Sequence, residues 1–365
     1  MQRLGDYIKE YSARNKFDEE IPVYSVTNSN GFCRDYFGKE VASNNKRTYK
    51  IVPRNAFAYN PSRINVGSVD YQHYEDRVIV SPLYNVFTVD EKILPQYLYF
   101  YLKSPNTMKR IQTVASGSVR DNLKLSMLCE FPIQVPSINR QQNIIEILEK
   151  TQRIIDEKND ELEKLDNLIN ARFVEMFNME SYPIKPLSEI AEYWNGLTYK
   201  PSDVSSDGTI VLRSSNIQDM QLDLNDIVRV KCKINNKKMV KTNDILMCSR
   251  NGSAKLVGKV ALIPELEETM SFGAFMMIIR SAYYPYLMTY FQLPVFRSQI
   301  STGTTTINQI TRYMLDKVSL PVPDMAKIKE FKTFVIQVDK SKFAVQKSLE
   351  KTQLLFDSLM QEYFG

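Results

Sequence analysis

The sequence predicts an α+β protein built by internal duplication. Two similar domains are each followed by one long helix, and the helices pair as an antiparallel coiled coil. Three observations carry this reading. Residues 137–177 contain neither Gly nor Pro, and Leu148, Ile155, Leu162, Ile169 and Met176 recur there at seven-residue intervals. Met325–Phe364 is equally free of Gly and Pro, and Val335, Val338, Val345, Leu349, Phe356 and Leu359 keep to an alternating three/four spacing. A shift of 187 positions then lays Pro136 on Pro323, Leu162-Glu163-Lys164 on Leu349-Glu350-Lys351, Glu175 on Glu362 and Phe177 on Phe364.

Strict heptads of apolar residues mark a helix wound on another helix, since a lone helix has nothing against which to bury such a stripe. At 1.5 Å per residue each helix is roughly 60 Å long. The expected divisions are a first domain at 1–136, a first spacer helix at 137–178, a second domain at 179–323 and a second spacer helix at 324–365. No Gly-, Ser- or Pro-rich linker separates the halves, so the helices themselves join them.

The first domain reads as mixed. β-type runs at 22–26, 49–52, 77–80 and 84–89 alternate with Asn-, Ser- and Gly-rich turns. A helix is expected from about Pro95 to Thr113, with Pro in its first turn. The second domain repeats the order, with strands expected at 209–213, 227–232, 244–248, 256–263 and 272–280 and a helix from near Pro285. Gly117 and Gly303, each followed five residues later by Asn, fall at matching places.

Composition excludes several classes of function. Of 365 residues, 43% are hydrophobic and 24% charged, as in soluble globular proteins. No run is long enough to span a membrane and the amino terminus has no apolar signal core, so a cytoplasmic location is expected. The four cysteines, Cys33, Cys129, Cys232 and Cys248, lack C-x-x-C spacing and read as reduced thiols. With His73 as the single histidine, most zinc sites and hydrolytic triads are ruled out. Gly252-Ser253-Ala254-Lys255-Leu256-Val257-Gly258-Lys259 has one residue too many between its glycines for a phosphate loop, and reads as a hairpin connection. Asn60-Pro61-Ser62-Arg63 lacks the second Pro and the aromatic residue of an amino-methyltransferase motif. No catalytic or metal-binding residues are expected.

What remains suits contact without catalysis. The net charge is only +5, but residues 34–63 hold 7 basic against 2 acidic side chains, and residues 229–259 hold 9 against 1. The helix at 137–177 is acidic, with 9 acidic against 6 basic. In the first patch Arg47, Tyr49, Arg54, Asn60, Ser62, Arg63 and Asn65, with Arg120 and Asn122, combine phosphate-binding charge with amides and hydroxyls that read base edges. In the second, Arg213, Ser214, Asn216, Arg250, Asn251, Ser253, Lys255 and Lys259, with Thr304, Thr305 and Asn308, do the same. Double-stranded DNA is the expected partner. A scaffold that binds no DNA and a two-armed regulator are the alternatives.

With these residues in view, the chain resembles the specificity subunit of type I restriction–modification systems. The resemblance lies in the duplicated order of domain then helix and in Phe131-Pro132-Ile133-Gln134-Val135-Pro136 followed by Ile138-x-x-Gln141-Gln142-x-Ile144. It extends to the run from Phe57 to Gly67, to Gly196-Leu197, and to Asp244-Ile245-Leu246 through Asn251-Gly252-Ser253. The second helix start, Pro323-Asp324-Met325-Ala326-Lys327, departs by lacking the Gln pair. The resemblance implies that each domain reads half of a bipartite, asymmetric DNA target and that the helices set the gap. It implies two methyltransferase subunits and further restriction/translocase subunits as partners. S-adenosylmethionine, ATP and Mg2+ would be bound by those subunits and none by this chain.

Overall fold

The computed structural model describes residues 2–34, 46–116, 122–177, 182–300 and 309–365. The chain forms two compact units. Unit 1 comprises Met1–Asp160 with Val345–Gly365, and unit 2 comprises Glu161–Ala344. Arg120, Thr304, Thr305 and Asn308 lie outside the described residues, as do Gly117 and Gly303.

Unit 1 is organised on an antiparallel sheet of β1 (Ile8–Glu10), β3 (Phe57–Tyr59), β4 (Val69–Tyr71) and β6 (Asn85–Val89), ordered β1-β6-β3-β4. A separate pair, β2 (Lys50–Pro53) and β5 (Arg77–Val80), lies antiparallel with Val52 opposite Val78. Alternation along the strands decides the layers. Phe57, Tyr59 and Phe87 point to one cluster with Leu98 and Leu102, while Ala58 and Val86 point to another with Val52, Val78 and Val80. Phe57 and Phe87 stack at 5.1 Å between centroids. Both faces of the sheet are therefore buried.

The helix expected at 95–113 is two helices, α1 (Pro95–Lys103) and α2 (Pro105–Ser116). Proline disfavours helical backbone in the residue before it, and Ser104 is extended with ψ 146. The Ser104 hydroxyl donates to the Tyr101 carbonyl at 2.8 Å and accepts from the Thr107 hydroxyl at 3.0 Å, which holds the corner. The first long helix, α3, then runs Ile138–Met176.

Unit 2 repeats this plan with β7 (Glu192–Asn195), β9 (Ile245–Cys248), β10 (Val260–Leu262) and β12 (Met276–Arg280), ordered β7-β12-β9-β10. Beside it β8 (Thr209–Leu212) runs parallel to β11 (Met270–Phe272). Ile245 and Met247 face one core cluster while Leu246 and Cys248 face another, the same alternation as in unit 1. The strand expected at 272–280 is broken, because Met276 N donates to the Gly273 carbonyl at 2.8 Å and closes a turn. Gly196 is needed beside that turn: a Cβ there would lie 2.1 Å from the Phe272 carbonyl oxygen. Helices α4 (Tyr284–Tyr290), α5 (Pro294–Ile300) and the long α6 (Met325–Phe364) follow.

Within each unit, segments of α3 and α6 pair antiparallel. In unit 1, Ile144, Ile145 and Leu148 pack with Met360, and the Arg140 guanidinium lies 5.8 Å from the Tyr363 ring centre. In unit 2, Phe173 meets Phe331 at 5.6 Å, Arg172 pairs with Glu330 at 3.1 Å, and Asp166 pairs with Lys342 at 2.5 Å. As one number falls the other rises, which fixes the direction. Leu148, Ile155, Met176 and Val338 are buried, and Leu162, Ile169, Val335, Val345, Leu349, Phe356 and Leu359 are half-buried. The spacer residues chosen from the heptads are thus buried or half-buried, and Lys342, half-buried, stands between Val338 and Val345 in the α6 pattern.

Gln141 explains part of the first helix's signature. It is fully buried, and its Nε2 donates to the Lys92 and Pro136 carbonyls, both at 2.8 Å. Its Oε1 accepts the Leu94 N–H at 2.8 Å. One side chain thus ties the start of α3 to the loop that begins α1. The corresponding residue of α6, 187 positions on, is Ile328, which is buried among apolar neighbours.

Candidate nucleic-acid interface

In unit 1 the loop that follows β3 is shaped by its own backbone. The Asn60 carbonyl accepts the Arg63 N–H at 2.9 Å and the Ile64 N–H at 3.0 Å, while Asn60 Oδ1 accepts the Ser62 N–H at 3.1 Å. Ile64, fully buried, anchors the turn in the core. Gly67 closes it at φ 91, a left-handed conformation suited to glycine. Lys103 donates to the Gly67 carbonyl at 2.5 Å, and its burial lowers its pKa while Asp70 opposes that shift.

A second loop, after α2, is fastened to the first. Leu123 N donates to the Pro61 carbonyl at 3.1 Å, the Tyr59 hydroxyl donates to the Leu123 carbonyl at 3.1 Å, and the Ser62 hydroxyl donates to Asn122 Oδ1 at 2.6 Å. Burial raises the Tyr59 pKa, with the Asn85 amide acting against it. Gln112 Nε2 reaches the Asn65 carbonyl at 3.1 Å. The structure therefore brings Asn60, Ser62, Arg63, Asn65 and Asn122 into one loop cluster. Arg63 is exposed and has no acidic partner among the described residues.

The other members of the first patch differ. Arg47 pairs with Asp18 at 3.8 Å and Arg54 with Asp76 at 3.7 Å, both in exposed ion pairs. Such pairs are worth about 0–1 kcal/mol. The Tyr49 side chain is largely buried, packed beside Ile21 and Ile79. Lys50, counted in the same basic run, is also structural, donating to the Tyr84 carbonyl at 2.6 Å with a pKa lowered by burial.

Unit 2 forms the matching pair of loops. The 249–259 segment joins β9 to β10, which are antiparallel partners, so it is a hairpin connection as expected. Ile310 N donates to the Ser249 carbonyl at 2.7 Å. Asn251 Nδ2 donates to the Ser214 hydroxyl at 3.1 Å, and its Oδ1 accepts the Ser253 N–H at 2.9 Å. The Arg250 guanidinium lies 5.4 Å from the Phe275 ring centre. Arg250, Ser253 and Lys255 are exposed, Lys259 is half-buried, and none has an acidic partner among the described residues.

Asn216 is turned into its own loop. It is fully buried; its Oδ1 accepts the Arg213 N–H at 2.8 Å and its Nδ2 donates to the Asp223 and Asp226 carbonyls, both at 2.8 Å. Its groups are all used in holding the loop. Arg213 itself pairs with Asp226 at 2.9 Å.

Sequence reasoning missed the clamp residues Lys103, Gln112 and Ser249, whose roles depend on contacts distant in the chain. It also missed Phe275, hidden in an apolar run that reads as strand; Gly273 was the only local sign of a turn. Among the described residues no helix is long and apolar enough to cross a membrane, and no group of three His, Cys, Asp or Glu is placed to hold a metal ion.

Residues 5–166 match the family model described as the type I restriction modification DNA specificity domain. The specificity subunit of the type I restriction enzyme EcoKI from Escherichia coli K12 is 28% identical over 177 residues, 45% of this chain. That match spans 38% of the relative's length. Among solved structures, the type I restriction–modification S subunit from M. genitalium aligns at TM-score 0.56 and 13% identity, over 100% of this chain and 95% of that one. A chain from work on complex assembly and conformational transition of the type I R-M system aligns at TM-score 0.61 and 14% identity, over 99% of this chain and 96% of that one. The chain as a whole thus has the fold of solved type I S subunits, and the match to the specificity-domain model lies within its first half.

Proposed function

We propose that the chain is the DNA-reading subunit of a type I restriction–modification complex, with each unit recognising one half of a split duplex target. The observation that carries this is the repeated loop pair. In both units the loop after the third strand of the sheet order is pinned by a backbone hydrogen bond from a second loop, at Pro61 and at Ser249. In both units the pinned loop presents an exposed arginine, Arg63 or Arg250, without an acidic partner among the described residues, beside amides and hydroxyls. Arginine pairs with guanine bidentately, Asn with adenine, and either charge or hydroxyl can take a phosphate.

On this reading the chain is non-catalytic. Two methyltransferase subunits would bind it, joined by restriction/translocase subunits for cleavage. S-adenosylmethionine, ATP and Mg2+ would belong to those partners. The helices α3 and α6, which run from one unit to the other, would set the gap between half-sites. The name of the EcoKI relative and the family's description support this assignment.

The test is methylation sequencing of a host with and without the chain, its methyltransferase partner being present in both. A split motif methylated only when the chain is present is the expected result. Unchanged methylation would favour a scaffold, and promoter binding without methylation a regulator.

A further inference from the structure

The turn that leads into the central strand of each sheet exposes an apolar side chain at its third position. In unit 1 the turn is Ser81-Pro82-Leu83-Tyr84, closed by Tyr84 N donating to the Ser81 carbonyl at 3.1 Å. In unit 2 it is Gly273-Ala274-Phe275-Met276, closed in the same way at 2.8 Å. Leu83 is 76% exposed and Phe275 is 59% exposed. Other apolar side chains are exposed singly on the surface, which needs no explanation. These two share one position of one turn in both copies of the duplication.

Both turns sit at the end of the sheet where the candidate interface lies. Tyr59, which precedes the first loop, is register partner of Asn85, which follows the first turn; Cys248 and Met276 are partnered likewise. Both turns are braced. The Phe275 carbonyl accepts the Ser249 N–H at 2.9 Å, the Arg250 N–H at 3.0 Å and the Ser249 hydroxyl at 2.9 Å. The Tyr84 carbonyl accepts Lys50 Nζ. An arginine belongs to each neighbouring loop: Arg250 lies over the Phe275 ring, and Arg63 lies in the loop that follows Tyr59, the register partner of Asn85.

We propose that Leu83 and Phe275 are wedges, one per unit, each inserted between neighbouring base pairs of the duplex beside the loop that carries Arg63 or Arg250. The proposal rests on the DNA-reading function above. Apolar wedges of this kind partly unstack a base step and kink the duplex, and pyrimidine–purine steps yield most easily. Each half-site would therefore contain or adjoin such a step, chosen by deformability and not by hydrogen bonding.

The experiment uses the full chain with its methyltransferase subunits and a duplex carrying the motif found by methylation sequencing. Adenines are replaced one at a time by 2-aminopurine, and cytosines by pyrrolocytosine, whose fluorescence rises on unstacking. Leaving aside the adenines that are methylated, which a methyltransferase itself takes out of the stack, the wild-type complex should give a several-fold rise at one further step in each half-site. Phe275→Ala should abolish the rise in one half-site only and weaken binding about tenfold, Leu83→Ala should do so in the other, and Phe275→Trp should retain it. Both alanine variants should unfold at the wild-type urea concentration. A bound, methylated duplex with no further responsive position, or a rise there that survives Phe275→Ala, overturns the wedge while leaving the DNA-reading function standing. If the wild-type complex methylates no split motif, the function itself has failed and the wedge with it.

Discussion

Ile310 donates its backbone N–H to the Ser249 carbonyl at 2.7 Å, and Leu123 makes the same bond to Pro61 at 3.1 Å. The residues differ in kind, yet the bond recurs at the same point of the duplicated fold. A backbone bond places no demand on side chains, so the loops it joins are free to vary while their junction stays fixed. That is the property a replaceable reading surface needs, and the predictions below probe its parts.

Arg63→Ala should weaken binding to the target by about 1–3 kcal/mol if the guanidinium reads a base, and should relax the motif at one position of one half-site. Methylation sequencing of the variant reads this directly. A uniform loss on all duplexes, with a shallower salt dependence, would assign Arg63 to a phosphate.

Asn216→Ala should destabilise unit 2 by about 1–3 kcal/mol, because it leaves the Arg213 N–H and the Asp223 and Asp226 carbonyls without their partner. The expected signature is a lower urea midpoint with the methylated motif unaltered. A changed motif at full stability would restore Asn216 to the reading surface.

Gln141→Leu should cost unit 1 a similar amount, about 1–3 kcal/mol, since it strands the Leu94 N–H and the carbonyls of Lys92 and Pro136. Hydrogen exchange should show faster exchange of the Leu94 amide and of the first turn of α1. In α6 the reverse change, Ile328→Gln, should also destabilise, because its site is apolar and offers no such partners.

Buried tyrosines make the fold sensitive to alkali. Burial raises Tyr97, Tyr99 and Tyr290 to about 12, and raises Tyr59 and Tyr286 above the ordinary value as well. A folded pKa above the unfolded one means that their contribution is complete below about pH 10, where unfolded tyrosine ionises, and is lost as pH rises through about 12. Urea midpoints should therefore be insensitive to these groups at neutral pH and fall steeply above about pH 10. Absorbance titration should show these tyrosines ionising only as the chain unfolds; free titration near pH 10 in the folded state would contradict the burial argument.

Much of the fold was legible because it rests on periodicity. Leu148, Ile155 and Met176 are buried, as an apolar heptad requires of a helix packed on other elements. The double burial of the central strands was not legible: the run at 84–89 alternates as a strand buried on one face would, and no strand was expected at Phe57–Tyr59. The helix break at Ser104–Pro105 was signalled by the proline but outweighed by the apolar pattern on either side. The site was less legible. Arg63 and Arg250 were found from charge and loop composition, but Tyr49 and Asn216 carry the same chemistry and are buried. Only the tertiary partners, Ile21 and Ile79 in one case and the Asp223 and Asp226 carbonyls in the other, distinguish a reader from a strut.

The central claim is that one chain reads a split DNA target whose gap is set by α3 and α6. Inserting one heptad into each helix, after Asp160 and after Ala344, keeps both seams in register and lengthens each helix by about 10 Å, or about three base pairs. Methylation sequencing of cells carrying the double insertion should return the same two half-sites with a gap longer by about three base pairs. Unchanged spacing, or half-sites that change while the gap does not, would contradict the account.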